Sequence, residues 1–301
     1  MAGLTWVEAG VMGIVQGVTE LFPVSSLGHS VLIPAVVGGQ WKSDMDMSAD
    51  GSPYLSFIVA LHVATAIGLI VYFRRDWLRL IGALFTTVRT RRIETSDQRL
   101  IWLIIAATIP VGLVGLVADH FMRTHLAKPV PTALMLIVNG FILLTIEYVT
   151  AKRGQVVAAE YVDERITGPE ADERLATMTV GEAVTVGAAQ ILALAPGISR
   201  SGVTTTAGLA KGMTREDAAR FAFLLATPVI LAAGLLKLPE LFADGNGIWP
   251  QVIFGSVLSG VGAYVSVRFL TRYFATRSLR PFGLYCIVAG AAALAFVTLV
   301  A

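Results

Sequence analysis

Apolar residues run along this chain in long blocks, and the polar residues gather between them. A helix needs roughly 20 apolar residues to cross the hydrocarbon core of a bilayer. Six blocks meet that length: 54–73, 100–118, 130–149, 217–236, 249–269 and 281–300. Two further apolar stretches, 5–37 and 182–212, are interrupted near the middle by Pro, Gly, Ser and charge. Each of these reads as a re-entrant helical hairpin that enters the membrane and returns to the side it came from. The pattern therefore predicts an all-α polytopic membrane protein with six transmembrane helices plus two re-entrant helical hairpins.

The two interruptions mirror each other. Each runs Gly-x-x-Gln (Gly13 to Gln16, Gly187 to Gln190), then a few apolar residues, then Pro with a cluster of Ser and Gly. Ser56-Phe57 to Gly68-Leu69 aligns without a gap on Ala222-Phe223 to Gly234-Leu235, and Pro110-x-Gly112-Leu113 recurs as Pro281-x-Gly283-Leu284. The order predicted in each half is hairpin, span, span, span. With three spans per half, the second half inserts upside down, an inverted-topology repeat. The expected units are a first repeat over 1–150, a connector over 151–181, and a second repeat over 182–301. The polar run 151–179 reads as a solvated loop.

Composition agrees with this reading and removes the alternatives. Of 301 residues 55% are hydrophobic and 15% charged, against roughly 25% charged in a soluble domain. The mean hydropathy is +0.72. The single Cys286 excludes an internal disulfide framework. Net charge, +2, says little; its placement says more. Arg74, Arg75, Arg79, Arg89, Arg91, Arg92 and Arg99 follow the first span, and Arg268, Arg272, Arg277 and Arg280 precede the last. Positive-inside reasoning puts both clusters in the cytoplasm. The first hairpin then opens to the outside, the second to the cytoplasm, and their tips meet near the midplane.

Polar residues at breaks inside apolar sequence survive at bilayer depth only when buried in protein or facing a watery cavity. Gln16 and Glu20, four apart, share a helical face. Ser25 and Ser26 follow Pro23, and His29 lies three residues beyond Ser26. Hydroxyl, imidazole and carboxylate together make an activated nucleophile or an activated water. The second break supplies Arg200 between Ser199 and Ser201, with Gly197 and Gly202 on either side. Glycine lets backbone approach an anion, and the Arg fork suits phosphate. Pairing of Arg200 with Glu20 is the simpler alternative use of both charges. His62, in mid-span, and Asn139 read as hydrogen-bonded helix-packing residues.

Gln16-Gly-x-Thr-Glu20-Leu-Phe-Pro-Val-Ser-Ser26-x-Gly-His29 and Pro196-Gly-x-Ser-Arg200-Ser-Gly together resemble the undecaprenyl-pyrophosphate phosphatase family, the one linked to bacitracin resistance. The likeness extends over nearly the whole chain, through Thr108-Ile-Pro-x-Gly and Phe223-Leu-Leu-Ala-x-Pro228. It implies an enzyme of the bacterial plasma membrane that removes the terminal phosphate of a C55 isoprenoid diphosphate and recycles the carrier lipid for cell-wall synthesis; the outward-opening first hairpin predicts that the headgroup is processed from the external face. Carried over by position, the catalytic residues are Glu20, Ser26, His29 and Arg200. Ser25, Gly197, Ser199, Ser201 and Gly202 bind phosphate, with Gln16 and Gln190 in support. The resemblance implies a divalent cation, Mg2+ or Ca2+, with Glu20 as its one carboxylate ligand, because Gln16 stands where many members carry Glu. The expected partners are the lipid diphosphate and the membrane, without nucleic acid, and a homodimer is left open. Inverted repeats with broken helices are also a transporter architecture, so a carrier or flippase for the phosphorylated lipid is the alternative.

Overall fold

The same local signal opens both halves of the chain. Thr5 caps one helix by accepting from the Glu8 amide, and Glu8 reaches back to the Thr5 amide; Thr179 and Glu182 repeat this capping box. The computed structural model describes residues 4–47, 53–152, 169–244 and 247–299. After the Thr5 cap, α1 (Trp6–Thr19) stops at the first break, and α2 (Ser26–Val37) leaves it again, followed by α3 (Gly39–Asp44). Then come α4 (Pro53–Tyr72), α5 (Arg74–Thr90), α6 (Ser96–Phe121) and α7 (Pro129–Lys152). The second half holds α8 (Pro169–Ala176), α9 (Val180–Ala188) with a 3-10 turn at Ala189–Leu194, and α10 (Arg200–Ala210). It closes with α11 (Arg215–Asp244), α12 (Trp249–Thr276) and α13 (Arg280–Leu299). Among the described residues all regular structure is helical, and six helices, α4, α6, α7, α11, α12 and α13, are long and apolar enough to cross a membrane. These are the six blocks expected from the sequence, and the chain is a multi-pass membrane protein.

Glycine sets which helices touch. Gly13 and Gly17 of α1 lie against the Gly255 and Ser259 carbonyls of α12, and a Cβ at Gly13 would sit 2.5 Å from the Gly255 oxygen. Gly187 of α9 lies in the same way against Ala107 of α6. So α1 packs on α12 as α9 packs on α6, while α4 packs on α11 and α7 on α13. Small residues at membrane helix interfaces let backbones approach and gain dispersion contacts where no hydrophobic drive operates.

Two segments differ from expectation. The arginine-rich connection after the first span contains α5, whose inward residues Asp76 and Leu80 are buried while the arginines at its ends face out. The connector is not simply solvated where it is described. Residues 153–168 lie outside the described residues, but Asp172 of α8 is fully buried. It accepts from Arg220 Nη2 at 2.7 Å and Nε at 3.0 Å, and it pairs with Arg79. Arg79 also reaches Asp97 at 2.6 Å and Asp76 at 2.9 Å, and Arg220 reaches Asp76 at 3.2 Å. Burial alone would lower the Arg79 pKa, but the surrounding Asp172, Asp97 and Asp76 carry it above its ordinary value. A buried charge persists only when paired in this way. Asp172 thus pins the end of the connector onto α5, α6 and α11.

Candidate active site

At both breaks a serine starts the helix that leaves it. Ser25 caps α2, its Oγ accepting from the Gly28 amide at 3.2 Å; Ser199 caps α10, its Oγ accepting from Gly202 at 3.1 Å. The match of Gln16 with Gln190 runs at one constant offset through Ser25 with Ser199 and Ser26 with Arg200. Ser26 and Arg200 therefore occupy the same first helical position in their two halves.

The breaks are bonded to each other. Ser25 Oγ also accepts from the Gly197 amide at 3.1 Å. Ser199 and Ser201 hydroxyls donate to the Phe22 carbonyl at 3.4 and 3.3 Å. Asn139 of α7 bridges both, with Nδ2 donating to Pro23 O at 3.0 Å and Oδ1 accepting from the Ser199 amide at 3.0 Å. Gly197 has φ +104, and a Cβ there would meet Thr132 and Leu136 backbone and Met135 Cβ, so only glycine fits. Ser25, at φ 67, holds a conformation that costs a non-glycine residue energy and that these bonds over-determine. Ser25, Gly197, Ser199 and Ser201 join the two breaks, Gly202 holds the Ser199 cap, and Ser25 and Ser199 also line the cavity beside Glu20.

At that junction Glu20 is almost wholly buried and surrounded by donors. Its Oε2 accepts from Gln16 Nε2 at 2.9 Å and from the Ser26 hydroxyl, and faces His62 Nε2 at 3.2 Å. Its Oε1 faces Arg200 Nη2 at 3.2 Å. His62, on α4, is hydrogen-bonded as the sequence leads one to expect, and its partner across the helices is Glu20. Its Nδ1 donates to the Ile58 carbonyl at 2.8 Å; a carbonyl can only accept, so Nδ1 carries hydrogen. The other nitrogen faces the carboxylate. His29, expected beside Ser26, is turned elsewhere. Its Nδ1 donates to Ser25 O at 2.7 Å and its Nε2 accepts from Tyr285 Oη at 2.7 Å, with the two rings stacked. Helical spacing from Ser26 gave the right face, but the Ser25 carbonyl lies nearer. Gln16 Oε1 and both polar atoms of Gln190 are buried without a hydrogen-bond partner among the described residues; Gln190 does not reach Glu20.

The expected divalent cation does not fit the protein groups as they stand. Among the described residues no group of three or more His, Cys, Asp and Glu side chains is placed to hold a metal ion. Hard cations take several oxygen ligands, whereas Glu20 is a lone carboxylate already matched by Arg200 and His62. The cavity lined by Glu20, Ser25, Ser26, Leu27, Ser199 and Arg200 measures about 20 Å³, room for a water.

A profile of the bacitracin resistance protein BacA family matches residues 9–292. An undecaprenyl-diphosphatase of Mycolicibacterium paratuberculosis is 56% identical over 99% of both chains. One from Frankia casuarinae is 48% identical over 97% of this chain and 98% of its own. One from Chromobacterium violaceum is 41% identical over 96% and 98%.

Proposed function

Because this chain belongs to the bacitracin resistance protein BacA family, we propose that it hydrolyses the terminal phosphate of undecaprenyl diphosphate and so returns the carrier lipid to cell-wall synthesis. The observation that carries this reading is the contact of Ser26 with Glu20, opposite Arg200. An isolated carboxylate at membrane depth is costly; one that accepts a serine hydroxyl and faces a guanidinium is equipped for phosphoryl transfer. Arg200 leaves Glu20 for the incoming phosphate, where its fork neutralises charge that builds in the transition state. Glu20, freed of one cation, takes the Ser26 proton as the oxygen attacks the terminal phosphorus. The bond to the bridging oxygen breaks, and undecaprenyl phosphate leaves. Glu20 passes that proton to the departing undecaprenyl phosphate, takes a proton from the water that attacks the phosphoserine, and gives it to the Ser26 oxygen as inorganic phosphate leaves. His62 holds Glu20 in place through its Oε2. His29 holds the first turn of α2 through Ser25 and Tyr285, which positions Ser26. The 20 Å³ cavity at Glu20 favours a second reading, in which the carboxylate activates a water directly and Ser26 only binds phosphate.

Purified protein in detergent is expected to release one inorganic phosphate per undecaprenyl diphosphate consumed. A carrier that only moves the lipid releases none, and that result would reverse the assignment.

The proposed placement is the bacterial plasma membrane, with α1–α2 and α9–α10 as re-entrant hairpins of an inverted repeat. The matched capping boxes, the matched serine caps and the exchanged packing of α1 on α12 and α9 on α6 support it. With the arginine clusters in the cytoplasm, the headgroup is processed from outside. A cysteine at Leu27, in a Cys286→Ala background, should react with an impermeant thiol reagent added externally. Labelling from the cytoplasmic side alone would invert the topology.

A further inference from the structure

A second cavity, of about 380 Å³, lies away from Glu20 on the flank of α6 that faces α5 and α11. Buried Ile101 and Ile104 form its floor, exposed Ile109 and Leu113 its rim, and Pro228 of α11 its far side. Trp77 of α5 stands at its end, with Nε1 buried and without a hydrogen-bond partner among the described residues. The groove is thus apolar along its length, with Trp77 closing its α5 end. From Ile101 to Leu113 it follows about 18 Å of helix at ~1.5 Å per residue, close to one leaflet, half of the roughly 30 Å core.

Helix α5 supplies the complementary charge. Leu78, Ile81, Phe85 and Val88 are exposed and, at three- and four-residue spacing, form one outward stripe. Exposed Arg74 and Arg75 stand at one end, with Arg89, Arg91 and Arg92 at and beyond the other. The acid of α5, Asp76, is buried against Arg79 and Arg220, so its outward face presents cations only. A helix with an apolar stripe flanked by arginine lies in the headgroup plane and draws anionic lipid to it.

We propose that α5 and this groove form a binding site for an anionic phospholipid of the arginine-side leaflet, distinct from the substrate centre. Arg74 and Arg75, one turn before Leu78, take the phosphodiester. One acyl chain lies along α6, beside Trp77. The single-leaflet length of the groove selects an acyl chain over a C55 isoprenoid, and the cation-only face selects an anionic headgroup over a zwitterionic one.

The test compares phosphatidylglycerol and phosphatidylcholine of identical chains on the full-length protein in detergent, by native mass spectrometry and by thermal shift. Two surface arginines should favour phosphatidylglycerol by about thirtyfold in affinity. Arg74→Gln with Arg75→Gln should bring the two lipids close to parity. A Cβ at Gly112 meets nothing within 4 Å, so the ring of Gly112→Phe enters the groove without striking backbone and should abolish the bound lipid. Both variants should keep wild-type phosphate release on a short-chain isoprenyl diphosphate. Equal binding of the two lipids by the wild-type protein overturns the proposal, and so does full retention of phosphatidylglycerol by Gly112→Phe. Displacement of phosphatidylglycerol by equimolar undecaprenyl phosphate overturns it too, by assigning the groove to the substrate path. The wild-type comparison stands even where a variant fails to fold.

Discussion

Arg200→Ala is expected to lower turnover by about 10² to 10³, the usual loss when one preorganised charge is removed from a phosphoryl or acyl transition state, while the protein still inserts. Arg200 sits at the first position of α10, with its amide end fixed by the Ser199 cap and its guanidinium 3.2 Å from Glu20 Oε1. It is the cation of the second break that reaches the carboxylate of the first. Removing it leaves Glu20 with His62 as a partner, so the variant keeps a compensated carboxylate and should fold. Arg200→Lys should recover only part of the loss, because an ammonium supplies a point charge where the fork bound two oxygens. Glu20→Gln should cost as much, and the double variant little more than either single one, since the two residues act on one step. Initial rates of phosphate release from undecaprenyl diphosphate check this. Near-normal turnover in Arg200→Ala would make the arginine a structural partner of Glu20 and place the phosphate elsewhere.

The second large effect is expected at Ser26. Its hydroxyl donates to Glu20 and it begins α2, so the oxygen is held beside the base that would take its proton. If that oxygen attacks phosphorus, Ser26→Ala should lose nearly all activity. If the hydroxyl only binds phosphate, its loss should cost about 1 to 2 kcal/mol, or roughly ten- to thirtyfold. Ser25→Ala distinguishes the two neighbours in a different way. Ser25 Oγ accepts from Gly28 and from Gly197 across the junction, so its removal should lower thermal stability as well as rate. Ser26→Ala should leave stability close to wild type.

How much of this was legible in the sequence depended on the reach of each interaction. The six spans were readable because a bilayer sets their length and excludes charge from them. The breaks were readable because Pro23, Ser25, Pro196 and Ser199 act on backbone within a few residues. The capping boxes at Thr5 and Thr179 were equally local and would have extended the repeat upstream. The stripe Leu78, Ile81, Phe85 and Val88 was also present, but the arginines around it read as a loop. His62 could not be found this way. It sits in a uniformly apolar span, and its role comes from α4 passing beside the first break. Tyr285 is the same case on α13: its hydroxyl takes the His29 nitrogen that spacing alone would have aimed at Ser26. Asp172 reads as one more solvated acid until α8 folds it against Arg220 and Arg79.

Rapid quench of the wild-type enzyme with undecaprenyl diphosphate labelled in its terminal phosphate tests the central claim most directly. A labelled phosphoserine at position 26 should form and decay at rates that account for turnover, and should be absent from Ser26→Ala. Steady phosphate release with no labelled protein at any time, together with a Ser26→Ala enzyme that keeps a tenth of its activity, would contradict the account and leave Glu20 acting on water alone.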